Sequence, residues 1–185
     1  MRKFFAVCGL ILGLFIFQPN NCFAQQSMSG PVLGSVSSLF GYRVDPFNGA
    51  VREHDGLDIA APYGSPVYAM QDGRVIRSGE RGGYGLAITI EHYYPDIPQM
   101  PKLQTTYGHN AVLYVKVGEY VRRGQIISSV GSTGRSTGPH LHFEVTYKGH
   151  PVDPIDYLTK LPSYLAYVNK VRGQTGYNHQ AIGGP

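Results

Sequence analysis

Short apolar segments separated by glycine-containing turns restrict the fold of this chain more than any other feature of its sequence. The clearest segment, residues 86–92 (LAITIEH), alternates apolar with small or polar residues, as half-buried β-strands do. Similar short runs recur at 65–69, 73–76 and 125–127. Glycine fills 24 of the 185 positions, almost twice its usual share of about 7%, which many tight turns would require. Since no helical period of useful length precedes residue 154, the chain is predicted to be all-β or nearly so.

These segments are predicted to form one domain, from residue 38 to residue 158. Residues 25–37 are small and polar and are predicted to be a linker. The tail, residues 159–185, is predicted to hold one short helix around 163–171. It ends in a polar, glycine-rich stretch that favours disorder.

The N-terminus resembles a secretory signal peptide. Arg2 and Lys3 precede an apolar run over 4–17, and a small-residue ending at 22–24 predicts cleavage after Ala24. The run is shorter than the roughly 20 residues that a membrane span needs, so an uncleaved anchor is the less favoured alternative. Export is therefore expected, to the periplasm in the first place, with secretion as the alternative.

Charge and cysteine content exclude several classes of protein. Cys8 and Cys22 both lie in the predicted signal, so the mature chain has no thiol for a disulfide or for a structural zinc site. Loss of Arg2 and Lys3 reduces the 16 basic residues to 14, against 12 acidic ones. This small excess argues for neither nucleic acid nor an anionic membrane as a partner.

Two histidines stand one residue apart in the segment GSTGRSTGPHLHFEV, residues 131–145. Alternate residues of a strand share a face, about 6 to 7 Å apart, so His140, His142 and Glu144 are predicted to point the same way. One ring can then bind a metal ion while the other faces the group that the metal activates. From this segment alone, solvated or hydrogen-bonded structural histidines are the favoured interpretation. Glu144 is either a partner of a ligand or an ordinary polar strand residue, and the second reading is favoured.

A second candidate pair lies in REHDGLDIA, residues 52–60. In a straight strand His54 and Asp58 would start about 13 Å apart, but a bend at Gly56 would bring them together. A helix would also place them on one face, although the Asp-Gly pair between them disfavours a helix here. With His142 they would supply two nitrogens and one carboxylate oxygen. That set suits a zinc ion with its fourth position open, as in catalytic sites.

A third candidate segment, TTYGHN, places His109 at the end of a predicted strand. A water molecule activated by zinc needs a base to take its proton, and the oxyanion that forms needs a donor. The helical H-E-x-x-H motif, which would supply a glutamate as base, is absent. His109 and His140 are therefore the candidates for the two roles, and which of them is the base stays open.

Six segments resemble, in order, those of the lysostaphin-type M23 zinc metallopeptidases, which are peptidoglycan endopeptidases. They are FGYRVDPF, HDGLDIAAPYGSPVYA, DGRVI, GGYG, YGH and GSTGRSTGPHLHFEV, and the resemblance spans residues 39–154. It implies an antiparallel β fold related to the barrel-sandwich hybrid, with a narrow groove over a central sheet. It also implies one zinc ion per chain and hydrolysis of the peptide cross-bridges of the bacterial wall.

The resemblance extends to single residues. The family's H-x-x-x-D motif falls on His54 and Asp58, and the second histidine of its H-x-H motif on His142, which implies three zinc ligands. The first H-x-H histidine falls on His140 and the separate catalytic histidine on His109. All five positions are filled, which argues against the alternative of a catalytically silent wall-binding activator. D-Ala–diaminopimelate is the favoured bond, and a glycine bridge stays open.

The main departure from the family is a longer segment over residues 93–106. Pro95, Pro98 and Pro101 predict a stiff surface loop rather than an added strand. If this loop borders the groove, it would restrict which peptide cross-bridges can bind as substrate. A tolerated surface insertion is the equally weighted alternative.

Overall fold

A computed structural model describes residues 30–92 and 102–175, and within them the chain is mainly antiparallel β-sheet. The strands are β1 Ser35–Ser38, β2 Gly41–Val44, β3 Val51–His54, β4 Leu57–Ala60, β5 Pro66–Tyr68, β6 Gly73–Glu80, β7 Leu86–His92, β8 Leu103–Leu113, β9 Tyr120–Val121, β10 Ile126–Val130, β11 His140–Tyr147 and β12 His150–Val152. A 3₁₀ turn covers Gly82–Tyr84, and one helix, α1, covers Pro154–Thr175. The all-β prediction is confirmed, and β7 has the predicted bounds.

The large sheet runs in the order β1-β4-β11-β8-β7-β6-β9, with every neighbouring pair antiparallel. β10 pairs with β8 and β5, and β12 pairs with β11. β2 and β3 form a separate two-stranded hairpin. β11 and β8 are therefore central, and each contributes residues to both faces of the sheet.

Side-chain alternation along β11 separates the hydrophobic core from the polar face. Leu141, Phe143 and Val145 are fully buried in the core, where the Phe143 ring lies 5.3 Å from that of Tyr107 on β8. Because successive residues of a strand point to opposite faces, His140, His142 and Glu144 point away from this core. The predicted shared face is confirmed.

The predicted linker over 25–37 differs from the structure. Ser35–Ser38 is a strand whose backbone pairs with β4, and Val32 is buried. The Tyr68 N–H also donates to the Pro31 carbonyl at 2.8 Å. Small polar residues suit an edge strand as well as a linker, since strand pairing uses the backbone. Residues 25–29 and the predicted signal over 1–24 lie outside the described residues.

The C-terminal helix is longer than predicted and begins nine residues earlier, at Pro154 instead of 163. Proline suits a first helical turn, and the Asp153 carboxylate accepts the N–H of Ile155 at 2.8 Å as a cap. Leu161 is buried, and Tyr157 packs toward the core. The predicted boundary at 158 thus falls inside a helix that packs on the sheet. Among the described residues no helix combines the length and apolarity that crossing a membrane requires. The tail over 176–185 lies beyond them.

The predicted loop over 93–106 is shorter than expected at its C-terminal end. Leu103 already pairs with His92, so residues 103–106 belong to β8. Residues 93–101 lie outside the described residues. Leu103, where β8 begins, is six residues before His109, which is about 20 Å along the strand at 3.3 Å per residue.

His92 is a fully buried histidine on the core side of the sheet. Its Nδ1 donates to the Asp72 carbonyl at 2.8 Å, and its Nε2 lies 2.8 Å from the Thr105 hydroxyl. That hydroxyl lies 3.1 Å from the Tyr107 hydroxyl, which accepts the Met70 N–H at 3.0 Å. Burial lowers the pKa of His92 to about 4, with the Asp72 carbonyl opposing the shift.

Acid is expected to destabilise the fold through His92. Its pKa of about 4 in the folded state is below the ordinary 6.5, so the unfolded chain binds the additional proton. Folding stability should therefore rise between pH 4 and pH 6.5, and His92 contributes about 3 kcal/mol of that rise. Urea unfolding across this range should show a shallower pH dependence in His92→Gln than in the wild type. Equal slopes would contradict the assignment.

Candidate active site

The chain bends between His54, the last residue of β3, and Asp58 on β4, as the sequence predicts. The reason for glycine at position 56 differs from the expectation, because Gly56 does not have a positive φ. A Cβ at this position would lie 2.7 Å from Cε1 of His142 and 2.8 Å from the Phe143 carbonyl oxygen. Glycine is therefore required by close packing against β11.

Pairing of β4 with β11 places Asp58 directly opposite His142. Asp58 Oδ1 lies 2.8 Å from Nδ1 of His142 and 3.2 Å from Nε2 of His54. The two ring nitrogens are 3.1 Å apart. All three side chains are buried, and their potential ligand atoms lie within 4.8 Å of one another.

The outer hydrogen bonds fix the tautomers of both rings. Nδ1 of His54 lies 2.8 Å from the Leu39 carbonyl and must donate to it, which leaves the lone pair on Nε2. Nε2 of His142 donates to Glu144 Oε1 at 2.9 Å, which leaves the lone pair on Nδ1. In the neutral form of each ring the remaining lone pair, on Nε2 of His54 and on Nδ1 of His142, therefore points toward the Asp58 carboxylate. These three groups could together bind a metal cation, and two imidazoles with one carboxylate suit zinc.

Glu144 is part of this arrangement, and the expectation that it is an ordinary polar strand residue is wrong. It is buried, and its Oε1 accepts hydrogen bonds from His142 and from the Tyr84 hydroxyl, the latter at 2.7 Å. Tyr84 belongs to the 3₁₀ turn, sixty residues away in sequence. No sequence pattern marks Tyr84, which lies in the segment GGYG, as part of the site.

Electrostatics at the centre favour positive charge. Burial opposes ionisation of Asp58, but hydrogen bonds from His142 and His54 hold its pKa well below the usual range. Burial would likewise lower the pKa of His142, yet bonds to Asp58 and Glu144 raise it to about 9. Arg43 on β2 lies 3.2 Å from the other Asp58 oxygen, Oδ2. Carboxylates that favour a proton on His142 also favour a metal cation at the same nitrogen.

His109 reaches the site through a β-bulge rather than at a strand end. Leu86 pairs with Asn110 and Ile88 with Tyr107, so β8 has one residue more than β7 across this step. His109 has φ 61, the left-handed conformation that histidine adopts more readily than most residues. Regular alternation would have sent its side chain to the same face as Tyr107. The bulge instead places its ring 4.7 Å from that of His140.

Backbone carbonyls orient His109 and His140. Nδ1 of His109 donates to Thr133 and Nδ1 of His140 donates to Gly138, each at 2.8 Å. Nε2 of His140 lies 3.7 Å from Asp58 Oδ1. Burial lowers the pKa of His109 to about 4 despite the bond to Thr133, and the nearby His140 adds to the shift. His109 is therefore neutral near pH 7.

The five histidine and aspartate side chains line one open groove. Further walls come from the β2–β3 hairpin, from the turn that carries Tyr84 and from the segment between β10 and β11. Two buried histidines and one buried carboxylate could hold a metal ion beside two carbonyl-oriented histidines, an arrangement typical of a metallopeptidase. Residues 52–154 match the model of peptidase family M23, and the chain belongs to that family.

Two relatives illustrate the similarity in sequence. The chain is 43% identical over 127 residues to the DD-carboxypeptidase/endopeptidase Mpg of Neisseria meningitidis, covering 69% of this chain and 28% of the relative. It is 43% identical over 111 residues to the peptidoglycan DD-endopeptidase ShyB of Vibrio cholerae, covering 60% of this chain and 24% of that relative. The chain thus spans only about a quarter of the length of these relatives.

Solved structures agree in fold. A zinc-containing peptidase from Vibrio cholerae superposes with a TM-score of 0.61 at 40% identity, covering 69% of this chain and 38% of that one. The catalytic domain of lysostaphin from Staphylococcus simulans superposes with a TM-score of 0.59 at 32% identity, covering 68% of this chain and 92% of that domain. The match to lysostaphin extends over nearly the whole of that catalytic domain.

Proposed function

We propose that this protein is a zinc-dependent endopeptidase that hydrolyses peptide cross-bridges of bacterial peptidoglycan. The observation that carries the proposal is the convergence of three buried potential ligand atoms, His54 Nε2, Asp58 Oδ1 and His142 Nδ1, within 4.8 Å of one another. These residues would hold one zinc ion per chain. The name of the ShyB relative supports peptidoglycan as substrate, and that of the solved Vibrio peptidase supports zinc.

The chain's own residues supply proton transfer at this centre. Zinc, when bound, supplies a Lewis acid that polarises a peptide carbonyl and activates water. The bonds from Nδ1 of His109 and of His140 to backbone carbonyls leave Nε2 of each ring for the groove. One ring accepts the proton of the attacking water at Nε2, and the other, when it also carries a proton on Nε2, donates to the developing oxyanion. The neutral state of His109 near pH 7 suits proton acceptance.

Substrate and location follow from the same proposal. The D-Ala–diaminopimelate bond is the expected target, supported by the DD-endopeptidase name of a relative. Export through the predicted signal over residues 1–24 would bring the enzyme to this substrate in the periplasm.

The test is digestion of cross-linked peptidoglycan by the purified protein, with products identified by mass spectrometry. Cross-linked dimers should disappear, a chelator should stop the reaction, and added zinc should restore it. The new termini identify the bond that is cut. Intact dimers in the presence of a protein holding one zinc per chain would overturn the proposal and favour a wall-binding activator.

Glu144→Ala is expected to weaken zinc binding. The substitution removes the acceptor that fixes His142, and loss of such an outer partner costs about 10–100-fold in metal affinity. Glu144→Gln keeps an oxygen that can accept the same hydrogen bond, so its zinc affinity should fall by less than that of Glu144→Ala. Competition with a chromophoric chelator measures both affinities. Unchanged affinity in Glu144→Ala would show that Glu144 does not support the ligand.

A further inference from the structure

Asp45, at the tip of the β2–β3 hairpin, joins two parts of the groove wall. It is buried, with only 4% of its surface exposed. Its Oδ1 accepts the backbone N–H groups of Phe47 and Asn48 at 2.9 and 3.3 Å, and Nη2 of Arg135 at 2.7 Å. Its Oδ2 accepts Nη1 of Arg52 at 3.1 Å. Arg52 belongs to the same hairpin, whereas Arg135 is 90 residues away.

Arg135 lies in the segment between β10 and β11, residues 131–139. Its guanidinium carbon stands 4.5 Å from the centre of the Phe47 ring, a stacked arrangement that adds to the ion pair with Asp45. Its own backbone N–H donates to the Gly83 carbonyl at 2.8 Å. The side chain of Arg135 therefore ties this segment to the hairpin.

Two backbone carbonyls of the segment orient the two histidines, and each carbonyl is held in place by different hydrogen bonds. Thr133, whose carbonyl accepts from His109, is separately fixed because its hydroxyl accepts the Leu86 N–H at 2.9 Å. The same hydroxyl donates to the Asn110 carbonyl at 2.8 Å. His109 thus depends on the neighbouring strands and not on Arg135.

His140 is oriented from the other half of the segment. Its Nδ1 donates to the Gly138 carbonyl, which also accepts the Ser136 hydroxyl at 2.8 Å. That hydroxyl lies 3.0 Å from the Ser132 hydroxyl. These bonds run within the segment itself, so they hold its shape without tying it to the rest of the protein. The Arg135 side chain supplies such a tie, three residues from Gly138.

We propose that Asp45 and Arg135 are positioning residues for His140. Their ion pair holds the 131–139 segment against the β2–β3 hairpin, and the segment in turn keeps the Gly138 carbonyl where it directs Nε2 of His140 into the groove. The proposal rests on the proposed function for the role of His140 in turnover. It does not depend on that function for the orientation of the ring.

The decisive comparison is Arg135→Ala against Arg52→Ala. Each removes one ion pair from the same carboxylate, but only the first removes the side-chain contact between the hairpin and the 131–139 segment. Arg135→Ala should lower kcat by about 10²-fold with KM unchanged, as expected for a misplaced proton-transfer group. Arg52→Ala should keep wild-type kcat. Both should bind one zinc per chain, and Arg135→Lys, which keeps the charge without the planar stack, should recover part of the loss.

A second readout is independent of activity. Two-bond nitrogen–proton correlation spectra of the histidine rings report which nitrogen carries the proton. Wild-type protein should show the Nδ1–H form at both His109 and His140. Arg135→Ala should mix the tautomers at His140 alone, and Arg52→Ala should leave both rings unchanged.

The outcomes separate the two proposals. Equal kcat in Arg135→Ala and Arg52→Ala, a change in KM alone, or equal disturbance of both rings would overturn the positioning role. If wild-type protein cleaves nothing, the proposed function fails, and the ring spectra still decide whether the pair orients His140. Should Arg135→Ala not fold, Arg135→Gln, which keeps a long side chain without the charge, carries the same comparison, and a wild-type kcat and spectrum there would overturn the proposal.

Discussion

His142→Ala is expected to lose its zinc and with it all measurable cleavage of peptidoglycan. Among the residues that the structure describes, Nδ1 of His142 is one of three potential ligand atoms at the centre, and its removal leaves two. Loss of an outer partner costs about 10–100-fold in metal affinity, so loss of a direct ligand should cost more. Elemental analysis of the purified variant measures the metal, and digestion of cross-linked peptidoglycan measures activity.

His150→Ala is the matched control for this substitution. His150 is an exposed histidine on β12, the strand next to β11, and its removal should change neither zinc content nor cleavage. The assignment of His142 as a ligand fails if His142→Ala retains one zinc per chain.

Substitution of either groove histidine is expected to leave zinc bound but to lower turnover by about 10² to 10⁴-fold, the usual contribution of a positioned acid or base. His140→Ala removes one ring. His109→Asn is the better choice at the bulge, because asparagine tolerates the left-handed conformation at φ 61 that alanine adopts with strain. Zinc content and kcat together distinguish this result from metal loss. Full activity in both variants would remove His109 and His140 from the mechanism.

Much of the site follows from local sequence rules. The period of two along a strand is enough to put His140, His142 and Glu144 on one face, because alternation is a property of the extended backbone itself. The apolar alternation in β7 fixes its bounds for the same reason. The resemblance of six segments to the M23 family then identifies five residues that line one groove in the structure: His54, Asp58, His109, His140 and His142.

Other features depended on contacts between distant parts of the chain. Local sequence does not predict the role of Glu144, because one of the hydrogen bonds that it accepts comes from Tyr84, sixty residues earlier. The start of α1 likewise differs from the prediction, because Tyr157 and Leu161 gain their burial only from the sheet beneath them. Local pattern carries no information on either contact.

The sequence by itself determined the antiparallel β architecture, the face of β11 that bears its histidines, and the membership of the family. Only the tertiary structure decided that Gly56 is needed for packing against His142, that a bulge turns His109 into the groove, and that Arg135 reaches Asp45. The physical reason is that periodicity is encoded over a few neighbouring residues. Register, bulges and ring tautomers are set by which backbone and side-chain groups meet when strands far apart in sequence pair.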